Sequence, residues 1–300
     1  MFYMMQKILS FFMAIVAFFM QLLGLSGRKN YNEFLDIPFG NDPKQAVDLA
    51  VPLNAGESTS LLVIVHGGSW TGGDKSDGQS MMRYCAQELK LAAASVNYRF
   101  LSENGSVHCR EMLDDITSGI IAAIKKSGEQ GVKIKSVAIG GASAGAHLAM
   151  MYAYMRTREC PVPIKFVFGE AGPADFTGRM FLDGCTGIDK SIVLSLLSEL
   201  TGTTVTDTNI CTAAVQSALA AVSPISYITP VTVPTLLAYG EKDSIVPYET
   251  ALSLDNALTK AGVVHDFFSF PNSGHSLDGD EKIRKAYNTK LLEYIGEYLV

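Results

Sequence analysis

A strand without a polar residue needs cover on both faces of its sheet, and Leu61-Leu62-Val63-Ile64-Val65 is such a strand. Further strand candidates are residues 46–51, 92–98, 137–139, 165–168, 235–239 and 266–270. Between them run helical patterns at 81–90, 109–127, 144–158, 250–261 and 282–299. Strands alternating with helices of this length predict an α/β chain, with a mostly parallel sheet flanked by helices on both faces. The hydrophobic share of 48 % is ample for a sizeable core, and the alternation describes one domain over residues 46–300.

One stretch breaks the alternation. Residues 176–222 fall between two sheet strands and hold small polar residues, two cysteines and helical fragments at 191–200 and 212–222. Connections of that length have structure or function of their own. The expected form is a helical cap insertion over the strand ends, where open α/β sheets place their ligands.

Ahead of the domain, residues 8–25 are apolar except for Ser10 and Gln21, with Lys7 before them and Arg28 and Lys29 after. Such a segment is longer than the apolar core of most cleaved signals and just long enough to span a bilayer. Residues 1–27 are therefore expected to be a signal peptide or N-terminal membrane anchor, placing the domain outside the cytoplasm, secreted or tethered through residues 8–25. Residues 28–45 are polar and turn-rich, with Pro38, Gly40 and Asp42-Pro43, and are expected to be a linker. The net charge of -6 and the lack of a basic run argue against a nucleic-acid partner.

The five cysteines, Cys85, Cys109, Cys160, Cys185 and Cys211, show no paired spacing of a metal site. Export would permit a disulfide, with Cys185 and Cys211 the first pair to test and five unpaired thiols the alternative. Asn104-Gly105-Ser106 is a glycosylation sequon.

The chemistry centres on Gly141-Ala142-Ser143-Ala144-Gly145, between the apolar run ending at Gly140 and a helical stretch. A serine with glycine two residues to either side, set between strand and helix, describes a nucleophile elbow. Acyl transfer then needs a base, a group to orient it and donors for the oxyanion. His275, in Ser273-Gly274-His275, is the candidate base. Asp243, in Gly240-Glu241-Lys242-Asp243, is the candidate orienting acid, with Glu241 as its competitor. His66-Gly67-Gly68-Ser69-Trp70 directly follows the buried strand, so amides of Gly67, Gly68 and Ser69 are candidate donors together with Ala144. His108 and His265 stand in polar surroundings and are expected to be exposed.

These motifs, with Gly72-Gly73-Asp74-Lys75, Asn97-Tyr98-Arg99-Phe100, Ala146-His147-Leu148-Ala149 and Ser223-Pro224-Ile225, resemble the esterase/lipase branch of the α/β-hydrolase superfamily. The nearest likeness is to bacterial carboxylesterases related to hormone-sensitive lipase, feruloyl and acetylxylan esterases and kynurenine formamidase, over residues 35–300. The resemblance implies an α/β-hydrolase fold and a serine esterase needing no metal or organic cofactor, with a small-molecule ester as its partner. It implies Ser143, Asp243 and His275 as the triad, and Gly68 and Ser69 as oxyanion donors with Ala144. It leaves His66 to hold its loop by hydrogen bonds and His147 to pack beside the elbow helix. The family often has glycine where this chain has Ser69. Two alternatives stand beside the esterase: a small serine peptidase of the same superfamily, and an inactive hydrolase-fold binding protein. Oligomeric state is open.

Overall fold

The computed structural model describes residues 29–101 and 105–300. The apolar segment 8–25 and Asn104 of the sequon lie outside the described residues. Among those described, no helix is long and apolar enough to cross a membrane.

Eight strands form one sheet: β1 (Tyr31–Pro38), β2 (Ala46–Pro52), β3 (Ser58–Val65), β4 (Ala92–Val96), β5 (Lys133–Ala142), β6 (Ile164–Glu170), β7 (Thr235–Gly240) and β8 (His265–Phe270). Their order is β1-β2-β4-β3-β5-β6-β7-β8. The β1–β2 and β2–β4 pairs are antiparallel, and every pair from β4 to β8 is parallel. This is the α/β-hydrolase arrangement that the resemblance implies.

Strand β3 shows why both faces are covered. Leu61, Val63 and Val65 enter one apolar cluster, with α2 (Cys109–Glu129), α3 (Ala144–Met155) and α7 (Tyr248–Ala261). Leu62 and Ile64 point the opposite way, toward α1 (Gln79–Glu88) and α8 (Glu281–Tyr298). The period-two alternation of a strand thus distributes one apolar run between two layers. Between β6 and β7 lie α4 (Met180–Gly184), α5 (Lys190–Thr201) and α6 (Ala213–Ala221), which form the cap.

The linker expected at 28–45 is not one. Residues 31–38 are the edge strand β1, paired with β2 through a register shift between Phe34 and Ile37. Asp36 sits at the shift in a left-handed conformation, φ 55°, and its amide donates to Asp48 Oδ1 at 2.8 Å. Polar residues and Pro38 are what an edge strand tolerates, which is why this stretch reads as a turn-rich connection.

Lys75, in the Gly-Gly-Asp-Lys motif, anchors that edge. Its Nζ is 2.9 Å from Asp48 and 2.7 Å from Asp36, and its side chain is 8 % exposed against none for Asp48. Gln79 Nε2 donates to the other oxygen of Asp48. The motif joins Asn97-Tyr98-Arg99 as well, for the Lys75 amide donates to Asn97 Oδ1 and Asn97 Nδ2 to Asp74. Arg99 in turn forks onto Asp115 of α2. Removing one partner of a buried pair leaves a charge stranded, at a cost of about 3–5 kcal/mol. Lys75→Met is expected to lower the unfolding free energy by about that amount in urea titration, whereas a loss below about 1 kcal/mol would show that Asp48 finds solvent or another partner.

Candidate active site

Strand β5 ends at Ala142, and the chain turns at once into α3. Two glycines make the turn possible by their lack of bulk. A Cβ on Gly141 would stand 2.2 Å from the Val65 carbonyl oxygen, and one on Gly145 would stand 2.1 Å from the same atom. Between them Ser143 adopts φ 54°, ψ −124°, a region that costs a non-glycine residue on the order of 1–3 kcal/mol. The strain is held from both sides: the Ser143 amide donates to the Glu170 carbonyl at 2.8 Å, and its carbonyl accepts from the His147 amide at 3.0 Å.

Ser143, His275 and Asp243 meet across four sheet positions. Asp243 follows β7, its carboxyl is fully buried, and its Oδ1 accepts from the amides of Ile245 and Val246 at 2.8 and 3.0 Å. Its Oδ2 lies 2.7 Å from His275 Nδ1, and His275 Nε2 lies 2.9 Å from Ser143 Oγ. A carboxylate only accepts, so Nδ1 carries the ring proton and Nε2 is free to accept from the serine hydroxyl. The histidine loop is seated on β7 by another small residue, since a Cβ on Gly240 would meet the Gly274 carbonyl oxygen at 2.3 Å. Asp280 secures its far side, accepting from the Asn272 amide and the Ser273 hydroxyl. Glu241, the competing acid, instead accepts from Ser269 on the exposed surface.

The Gly-rich loop after β3 stands beside the serine. Gly67 is so close that a Cβ there would lie 2.9 Å from the Ala142 carbonyl oxygen and 3.4 Å from Ser143 Cβ. Gly68 has φ 118°, and Ser69 and Trp70 follow in the left-handed region at 52° and 60°. Ala144 is the first residue of α3, so its amide is among those a helix leaves without an internal partner. His66 holds the loop as the resemblance implies. Its Nδ1 donates to the Gly67 carbonyl at 2.8 Å, its ring stacks on Tyr98 at 4.4 Å, and burial pushes its pKa down to about 4. Ser69, Trp70, Ser143 and Ala144 form the floor of an apolar cavity. The cap closes it with Phe181, Cys185, Ile188, Val193, Leu196 and Leu197, leaving about 30 Å³ open to the centres of water-sized molecules.

The family model of BD-FAE matches residues 47–258, which takes in the Gly-rich loop, the elbow and the Asp243 turn. The chain belongs to the BD-FAE family. The carboxylic ester hydrolase LipN of Mycobacterium tuberculosis is 32 % identical over 114 residues, 34 % of this chain and 30 % of LipN. Esterase LipQ of the same organism is 24 % identical over 250 residues, 81 % of this chain and 57 % of LipQ. This BD-FAE chain thus spans little more than half of LipQ and under a third of LipN. Among solved structures, a truncated carbohydrate esterase from gut microbiota superposes with a TM-score of 0.69 at 15 % identity, covering 89 % of this chain and 98 % of that one. A bacterial heroin esterase gives 0.66 at 21 %, covering 93 % and 90 %. The fold they share is the α/β-hydrolase fold.

Two features of this BD-FAE member are not visible in its motifs. Glu170, at the end of β6, is buried and bonded at 2.7 Å to Arg284 of α8, whose other nitrogen reaches the Leu277 carbonyl in the histidine loop. The ion pair ties the strand that holds the Ser143 amide to the loop that carries His275. The only sequence signal is a charge closing an apolar strand run. The second feature is the bonding of His147, a motif residue expected only to pack beside the elbow helix: fully buried on α3, it accepts from Trp70 Nε1 at 3.1 Å and donates from Nε2 to the Val222 carbonyl at 2.8 Å.

The expected exposure of two histidines changes, and the cysteines follow the unpaired alternative. His108 and His265 are half-buried rather than exposed: His108 Nδ1 binds the Glu199 carbonyl, and His265 Nε2 lies 3.1 Å from Asp255. The Cys185–Cys211 disulfide is absent, because Cys185 is buried with its Sγ donating to the Ile245 carbonyl while Cys211 is exposed. Among the described residues no group of three His, Cys, Asp or Glu is placed to hold a metal.

Burial depresses the His147 pKa from its ordinary 6.5 to about 4, against the partial support of the Val222 carbonyl. Between those values the unfolded chain binds a proton that the folded chain does not. Stability from this residue is therefore full above pH 6.5 and falls as pH drops toward 4. The stability advantage of wild type over His147→Gln is expected to shrink by roughly 3 kcal/mol from pH 7 to pH 4, measured by denaturant titration at both. An unchanged difference would show that the buried ring accepts the proton in the fold.

Proposed function

We propose that this chain is a serine hydrolase that cleaves carboxylic esters through an acyl-enzyme on Ser143. The observation that carries the reading is the hydrogen-bonded chain from Ser143 Oγ through His275 to the buried Asp243, at a strained turn on the end of β5. The esterases among the relatives support it. In this mechanism His275 Nε2 takes the hydroxyl proton as Ser143 Oγ attacks the ester carbonyl. Asp243 steadies the imidazolium, and its own charge is kept in place by the amides of Ile245 and Val246. Amides of Gly68, Ser69 and Ala144, with Gly67 shaping the approach, receive the oxyanion, each donor worth about 2.7–4 kcal/mol in the transition state. The imidazolium returns its proton to the leaving alcohol. A water, activated by the same ring, then releases the acid.

The cap walls favour a short acyl chain, because the cavity that Phe181 and Leu197 line together with Ser143 holds only about 30 Å³. A fluorophosphonate probe is expected to label wild type and leave Ser143→Ala unlabelled. On aryl esters of increasing acyl length, kcat/KM is expected to be highest for acetyl to butyryl groups and to fall by about 10⁴-fold or more in Ser143→Ala. Labelling that persists without Ser143 would overturn the mechanism, and fastest turnover of long-chain esters would overturn the acyl assignment.

We further propose that residues 8–25 carry this domain out of the cytoplasm; the mass of the mature chain, expected either to lack residues 1–27 or to retain them in a membrane fraction, tests this against an uncleaved soluble product.

A further inference from the structure

Trp70 is the single tryptophan of the chain, and it is buried at the end of the Gly-rich loop. Backbone bonds fix part of that loop: the Trp70 carbonyl accepts from the Leu101 amide at 2.9 Å, and the Thr71 amide donates to Gly68 at 3.1 Å. The second bond closes a turn whose two central residues, Ser69 and Trp70, both lie in the left-handed region, a conformation that non-glycine residues keep only where surroundings over-determine it. A further constraint, on the side chain, comes through the indole, whose Nε1–H donates to His147 Nδ1 at 3.1 Å.

His147 is well placed to matter. It is one helical turn after Ser143, on the helix whose first amide is that of Ala144. One half of the oxyanion hole thus comes from the helix bearing His147, and the other half from the loop that His147 grips. Because Nδ1 accepts from the indole, the ring proton resides on Nε2, which donates to the Val222 carbonyl at the end of α6. The cap's two ends are fastened at that point, where Ser223 Oγ accepts from the Phe176 amide at 2.9 Å and donates to Leu219 at 2.8 Å. The Phe176 ring stands edge-on to both His147 and Trp70, at 5.4 and 6.1 Å. Phe181, a wall of the cavity, stands against Phe176 at 4.8 Å.

We infer that His147 is a positioning residue that sets the two halves of the oxyanion hole at their working separation, through Trp70, and ties that setting to the seat of the cap. The inference rests on the ester-hydrolase reading above. It concerns the transition state and not substrate binding, since oxyanion donors act on charge that develops only during attack.

Kinetics and tryptophan emission together test it, in the full chain with p-nitrophenyl acetate as substrate. His147→Phe keeps a ring but loses both bonds, whereas His147→Gln retains an acceptor and a donor on one amide. His147→Phe is expected to lose about 10–100-fold in kcat with KM changed by less than about threefold, the signature of a displaced transition-state contact. Its emission maximum is expected to shift, since the indole N–H loses its acceptor. His147→Gln is expected to restore both readouts toward wild type. Should His147→Phe not fold, Trp70→Phe, which removes the indole N–H while keeping an aromatic ring, is expected to show the same kcat-specific loss. Wild-type kcat in His147→Phe or in Trp70→Phe overturns the inference, as does a rise in KM with kcat unchanged. If wild type turned over no ester, the functional reading would fail separately, while the emission shift, needing no turnover, would still decide the Trp70–His147 contact.

Discussion

The carbonyl oxygen of Val65 is the point on which the site is built. Gly141 and Gly145 both press against it, so the last turn of β5, the start of α3 and the end of β3 share one contact too close for any side chain. That contact forces the abrupt reversal at Ser143, and it brings the loop after β3 within van der Waals reach of the serine. The serine and the amides around it are thus one packing event rather than two converging features. A parallel sheet makes this possible, because neighbouring strands end at the same level and their loops emerge side by side.

Much of this was legible in the chain. Unbroken apolar runs such as 61–65 announced a sheet covered on both faces, and the Gly-x-Ser-x-Gly, Gly-x-x-Asp and Gly-His motifs marked three loops that the fold gathers within hydrogen-bond distance. Short-range signals of this kind are readable because glycine and apolar period report local constraints. What escaped is set by distant partners. Strand β1 looks like a linker because its polar residues suit an edge, and its tie to the folded body runs through partners far along the chain, such as Lys75, which holds Asp36 beside Asp48. Glu170 shows only as a charge closing an apolar run, with nothing local to name Arg284 as its partner, yet the pair ties the strand beside Ser143 to the histidine loop. Cys185 and Cys211 offered a pair that the cap separates, one buried against Ile245 and the other in solvent.

Buried histidines show how the same residue type serves opposite ends here. His66 and His147 are wholly enclosed and held neutral by burial, His66 fixing its loop through Nδ1 and His147 bonding through both ring nitrogens. His275 keeps a small part of its side chain exposed and is oriented by a carboxylate that receives two amides of its own. The difference lies in what stands opposite each ring: a carbonyl or an indole N–H for the first two, a carboxylate and a hydroxyl for the third.

The turn that carries Asp243 also receives the cap. Gly187 donates its amide to the Ser244 carbonyl at 2.7 Å and Cys185 its thiol to Ile245, while the amides of Ile245 and Val246 face the other way, onto Asp243. Opposite edges of the same few peptide units thus serve substrate enclosure and charge placement. Residues 185–187 and 243–247 form one bonded unit, so transplanting this cap onto another scaffold means carrying that turn with it.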